Sequence, residues 1–356
     1  VKISILPLSI PFKSKFSHAS YERAHTESFF VKATEDNEVG FGESCPRMYV
    51  TGETIKSCNL FITHYADNIS HIKSMTDLMQ WVNENSKLID TNPAAWCALE
   101  MAIIDVFAKV TKQPASKILG LEQHEHQQYF SAIVGYKSLK KALLFKLMGF
   151  SDFKLKIGSS IHSNKIVIKL MRLLRIYPSK VRLDANNLWT TPQDCIDNLS
   201  DLKGAFWALE EPIKPFDYEG MVKVAYALDC KIILDESFIT PKHVADISKY
   251  KDVFIANVRI SKLGGVLRTI QAIRMLTELD IPFILGSHVG ESSLLGNAQQ
   301  VIFQSCKQPC LAVEGGFSNW LLKRDPFQPQ LKVGYGGVYP QNKKEVLFGW
   351  GVHYEK

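Results

Sequence analysis

Two lysines, Lys154 and Lys156, stand two residues apart in the apolar run FKLKIG. In a β-strand, residues i and i+2 project to one face, so both ammonium groups point the same way. Lysine is rarely buried without a partner. A lysine beside a second cation and a metal ion has a depressed pKa and suits a general base. The plainer alternative is a pair of structural salt bridges. Three acids could be the partners: Asp184 in RLDANNLW, Glu210 in LEEP and Asp235 in LDES. Converging carboxylates repel, and a divalent cation relieves the repulsion. An all-oxygen donor set favours Mg²⁺ or Mn²⁺ over zinc. The alternative is three separate surface or capping acids.

These residues belong to a regular series. Lys156, Asp184, Glu210, Asp235, Arg259, Ser287 and Glu314 end successive apolar segments at intervals of 24 to 28 residues. Each interval holds one strand, one helix and two loops. Helical text such as TPQDCIDNLSDL lies between, with Thr191 as N-cap and Pro192 at the first helical position. Eight strand signals alternating with helices predict parallel βαβ units closing into a barrel, with all strand ends on one face. The first 45 residues read as strands, joined near EDNEVG, and residues 52–120 as helices, including the apolar NPAAWCALEMAIIDVFAKVT. The expected organisation is an α+β capping module over 1–124, a barrel over 125–324 and a tail over 325–356 returning to the first module.

The totals narrow the function class. Net charge is +6, with 46% apolar and 22% charged residues, and no run of like charges suggests nucleic acid. The mild basic excess favours anionic small molecules. Seven cysteines without a Cys-x-x-Cys read as free thiols in a reducing cytoplasm. No signal-peptide core and no apolar run of membrane-spanning length is expected. Homo-oligomerisation is left open.

FKLKIG, RLDANNLW, LEEP, LDES and NVRISKLGG, in this order, together with FGES and GWGV near the two ends, resemble the enolase superfamily, in its muconate-lactonizing-enzyme-like subgroup. The resemblance covers nearly the whole chain. It implies a (β/α)₇β barrel capped by an α+β domain, and Mg²⁺ held by Asp184, Glu210 and Asp235. It also implies removal of a proton α to a carboxylate, with Lys156 as base and Lys154 supporting charge. Asn186, Glu211 and Glu236 take supporting places.

The departures are informative. The family usually carries lysine at the position of Arg259, and arginine is a poor base. Two-lysine racemisation is therefore not expected. Arg259 could stabilise an oxyanion, grip a substrate carboxylate, or pair with Glu236. Strand alternation sends Lys262 to the other face or into the loop. His288 in GSHVGES offers a second base, as in the mandelate-racemase subgroup, or a loop contact. Glu291 and Glu314 are candidates for proton donor, substrate contact or structural ion pair. The Asp-x-Asp with which dipeptide epimerases of the subgroup hold an ammonium is replaced by VEGG. In the capping loops, His18, Arg23, Arg47 and Tyr49 are candidate substrate contacts. The main expectation is one-base elimination, such as an o-succinylbenzoate-synthase-like dehydration, or cycloisomerisation. The alternative is epimerisation through Lys156 and His288. A rival of another class is a non-catalytic binding protein. A phosphate-binding barrel enzyme lacks its glycine-rich loop.

Overall fold

The computed structural model describes residues 1–18, 21–136, 138–339 and 348–355, with the side chains of 14–22 outside the description. Near the N-terminus, β1 (Lys2–Leu6) is followed by a hairpin of β2 (Pro11–His18) and β3 (Tyr21–His25). Then come β4 (Phe29–Glu35) and β5 (Glu38–Ser44), and β1, β4 and β5 form an antiparallel sheet. The turn between β4 and β5 puts Asp36 and Asn37 at φ 45° and 66°. Two left-handed residues give the hairpin the twist of its strands. The hairpin β2–β3 takes in residues 15–18 and 21–23, expected to belong to a capping loop. Its apolar residues Phe16 and Tyr21 do not alternate regularly with polar ones, so a strand is hard to read there.

The helix Pro93–Val110 packs on this sheet and is buried along nearly its whole length. The contact requires small residues on β5. A Cβ at Gly42 would stand 1.8 Å from the Ala98 carbonyl oxygen. The C-terminal segment reaches the same helix. The Trp350 indole donates to the Met101 carbonyl at 3.0 Å, and its backbone N–H to Asp105 at 2.9 Å.

The larger layer is the expected barrel. Its strands are β6 (Ala132–Val134), β7 (Phe153–Lys156), β8 (Val181–Asp184), β9 (Ala208–Glu210), β10 (Lys231–Leu234), β11 (Phe254–Val258) and β12 (Phe283–Leu285). They pair in parallel and in chain order. The eighth position is reduced to a bridge residue. Val313 pairs in parallel with Leu285 on one side and Phe130 on the other, which closes the ring. Helices between the strands cover the outside, and Thr191 caps the helix Pro192–Leu199 by accepting from Asp194 N, as its sequence predicts. Short polar-ended strands with apolar bodies read clearly because both faces of a parallel sheet are covered. Among the described residues, no helix is long and apolar enough to cross a membrane.

Candidate active site

The C-terminal strand ends meet at one mouth. In the register of β7, β8 and β9, Lys156 stands beside Asp184, and Asp184 beside Glu210. All three candidate acids are buried. Lys154 Nζ lies 2.7 Å from Glu210 and 3.3 Å from Asp184. Lys156 Nζ lies 3.2 Å from Asp184 and donates to Asn186 Oδ1 at 2.8 Å. Arg259 Nη2 is 2.5 Å from Asp235 and 3.7 Å from Glu210. Shared cations therefore bind the acids into one cluster: Lys154 joins Asp184 to Glu210, and Arg259 joins Glu210 to Asp235.

The electrostatics divide the cluster. Burial works to raise Asp184, but Lys156 and Lys154 hold it at about 2. Burial likewise opposes Asp235, which Arg259 and Lys262 hold at about 2. Burial pushes Glu210 up to about 8, against Lys154 and with repulsion from Asp184. Burial would lower Lys154, yet Glu210, Glu314 and Asp184 overcome it and raise the ammonium. Lys154 is thus a fixed positive charge and not the neutral lysine that a cationic neighbour would produce. Its partner Glu314, 3.0 Å away, is also 3.0 Å from the fully buried Arg182.

As the side chains stand, no group of three His, Cys, Asp or Glu residues is arranged to ligate a metal among the described residues. Lysine and arginine groups hold the acids instead. The donor chemistry nevertheless fits a hard dication. Three buried carboxylates from adjacent strands share cations, and burial, with repulsion from Asp184, raises one of them.

The remaining candidates separate. His288 is 5% exposed, lines the cavity, and leaves both ring nitrogens without a hydrogen-bond partner among the described residues. Burial, aided by Arg259 and Arg47, holds it well below its ordinary pKa, so the imidazole is neutral. Glu291 accepts from the His288 N–H at 2.6 Å, and burial raises its carboxyl to about 8. Glu211 accepts from Asp235 N and Ser237 N at 2.8 and 2.6 Å, which shapes the strand end beneath the third acid. Glu236 lines the cavity but does not partner Arg259; Asp235 takes that place. Burial, with repulsion from Asp235 and Asp184, raises Glu236 to about 7.

Arg47 is a correction. Its guanidinium donates to the carbonyls of Pro46, Glu27 and Val289 at 2.8, 3.2 and 2.7 Å, so it braces the capping segment against the barrel loop instead of lining the cavity. Arg23 and Tyr49 do line it, with the Arg23 guanidinium 5.9 Å from the Tyr49 ring centre and its Nε 2.8 Å from Glu27. The His18 side chain lies outside the described residues.

Lys262 is a second correction. It is fully buried, and its Nζ donates to Asp235 Oδ1 and the Asp235 carbonyl at 2.7 Å and to the Asn257 carbonyl at 2.8 Å. Residues Ile260–Leu263 form a helical turn, so alternation stops after β11 and Lys262 returns to the side of the acids. Arg182, which sequence reasoning left without a role, supports the cluster from below. Its one signal was a charge inside an apolar strand ending in Asp184.

The chain belongs to the enolase C-terminal domain-like family, whose model matches residues 139–355, and is thereby an enzyme of the enolase superfamily. It is 24% identical over 304 residues to a hydrophobic dipeptide epimerase from Enterococcus faecalis, covering 82% of this chain and 83% of that protein. It is 26% identical over 273 residues to an L-Ala-D/L-Glu epimerase from Bacillus subtilis, covering 75% and 74%. Among solved structures, an N-succinyl Arg/Lys racemase from Bacillus cereus superposes with a TM-score of 0.86 at 20% identity, over 99% of this chain and 95% of that one.

Proposed function

We propose that this protein is a Mg²⁺-dependent racemase or epimerase that moves the proton α to a carboxylate, using Lys156 and His288 on two sides of the substrate. The relatives' names support transfer between two configurations better than the one-base elimination expected from sequence. One observation carries the reading. His288 is neutral and buried, with neither ring nitrogen hydrogen-bonded among the described residues and Glu291 3.6 Å from Nδ1, in the same cavity as Lys156. The ring order places β7 and β12 three positions apart by way of β6 and Val313, so the two side chains approach the mouth from different directions.

Asp184, Glu210 and Asp235 would hold the metal, with Mn²⁺ an alternative to Mg²⁺. Bound there, it would supply Lewis-acid charge to the substrate carboxylate. Lys156 as the free amine removes the α-proton, and Asn186 orients its Nζ through the 2.8 Å contact. The enediolate is a dianion, so fixed positive charge already in place lowers its cost. Lys154 provides such charge because three carboxylates keep it protonated. His288 completes the transfer at the second face. When Lys156 starts as the free amine, His288 must carry the proton that it delivers. In the reverse direction the neutral His288 takes the α-proton while the protonated Lys156 returns one. Arg259 stays cationic and serves as an electrostatic group and not as a base.

Elimination or cycloisomerisation through Lys156 alone is the second reading. The specific observation in its favour is Arg259, on the strand opposite β7 in the ring, where the family usually has lysine. The two readings differ in D₂O with Mg²⁺. Epimerisation incorporates solvent deuterium into both configurations and requires both Lys156 and His288. Loss of water, or exchange with retained configuration that survives His288→Asn, would establish the one-base reading.

A further inference from the structure

The cavity of about 590 Å³ has two unlike ends. One end is the charged cluster around Lys156, Asp184 and Asp235. The other is apolar and comes from the barrel: Leu144 and Phe145 on the helix Leu139–Leu147, and Phe317 and Trp320 after the closing bridge. The wall is braced before any ligand arrives. The Phe145 and Trp320 rings stack at 5.9 Å, and Phe317 stands edge-on to them at 5.7 and 5.9 Å. Leu144 is half exposed, which leaves apolar surface for a ligand to cover.

Charge at the cavity disfavours a cationic ligand group. Lys141 and Arg23 line it. Of the five lining acids, Asp184, Asp235 and Glu314 are held by Lys156, Arg259 and Lys154, and Glu291 accepts from the His288 N–H, while Glu236 stands beside Asp235 in the charged cluster. An ammonium at the wall would lose hydration beside Lys141, which stands one helical turn from Leu144 and Phe145. A rigid aromatic wall instead rewards a flat apolar group.

We infer that the substrate is a carboxylate whose distal end is bulky, apolar and uncharged, such as an N-aroyl or N-arylacyl amino acid, and that Leu144, Phe145, Phe317 and Trp320 are the residues that select it. This deepens the proton-transfer reading above and rests on it. It sets the chain apart from relatives whose names specify dipeptides.

The test is calorimetric titration of the full chain in Mg²⁺ with N-benzoyl-L-alanine, N-succinyl-L-alanine and L-Ala-L-Ala. These share the carboxylate end and differ in the charge of the distal group. The expected result is affinity for the benzoyl compound about tenfold or more above the other two. Trp320→Ala removes that advantage. Leu144→Asp, at a half-exposed position where folding is not at risk, removes it too and raises affinity for L-Ala-L-Ala. Equal or tighter binding of the succinyl compound or the dipeptide overturns the inference, as does a benzoyl preference that survives both variants or no benzoyl binding at all. Deuterium exchange read on the same samples separates the two readings. Selective binding without exchange keeps the pocket and fails the reaction, whereas exchange without selectivity does the reverse.

Discussion

Arg259 and Lys262 divide the carboxylate of Asp235 between them, one on each oxygen, at 2.5 and 2.7 Å. An acid so engaged is a weakened ligand, because a metal must compete with two basic side chains for its oxygens. Arg259→Met removes one competitor without adding a base. The expected outcome is Mn²⁺ affinity several-fold tighter, on the order of 1 kcal/mol, read by titration against a paramagnetic signal. Unchanged or weaker affinity would show that Arg259 and the metal do not contend for the same oxygen.

Lys156→Ala removes the proposed base while leaving Lys154 in its ring of carboxylates. α-Proton exchange falls by about 10²–10⁴-fold, with the circular dichroism spectrum and melting temperature unchanged. Full exchange in this variant would move the base elsewhere, and Glu236 would be the next to test.

Arg182 is fully buried, on Glu314 at 3.0 Å and Asp152 at 2.9 Å. Arg182→Met strands Glu314 with Lys154 alone. Breaking a buried pair from one side costs about 3–5 kcal/mol, and denaturant unfolding should register a loss of that size. Glu314→Gln in the same background removes the stranded charge and should restore part of the loss. An additive double mutant would mean that the pair is not coupled.

Two buried acids away from the mouth make stability depend on pH. Burial raises Glu43 to about 7, despite hydrogen bonds from Ser292, and raises Glu100 to about 7, despite those from Leu267 and Trp96. The folded state therefore keeps protons that the unfolded chain releases above about 4.5, the ordinary glutamate value. Where the folded state binds more protons, stability falls as pH rises. Unfolding free energy should decline between about pH 4.5 and pH 7 on account of these groups and level off above. Glu100→Gln, which cannot ionise, should flatten that slope in a urea series. A slope unchanged by the substitution would remove Glu100 from the account.

The alternation of apolar strands with helices and the interval of 24 to 28 residues between polar strand ends made the barrel legible. A parallel sheet covered on both faces writes itself as short apolar runs, and its strand ends are the positions free to be polar. The same periodicity placed Lys154, Lys156, Asp184, Glu210 and Asp235 on one rim before any coordinates. The residue types set which groups carry charge there, and arginine at 259 set that this position cannot act as an ordinary base.

Only the tertiary structure decided how those charges are shared. Local pattern says nothing about partners 56 or 160 residues away, yet it is Glu210 and Glu314 that keep Lys154 protonated. The helical turn after β11 brings Lys262 back to Asp235, and alternation could not show where the strand would stop. Arg47 looked like a loop cation for the substrate until folding brought three carbonyl oxygens around it. Periodicity is a local property and is written in the chain. Protonation and pairing depend on distance and burial, which exist only after the chain has closed on itself.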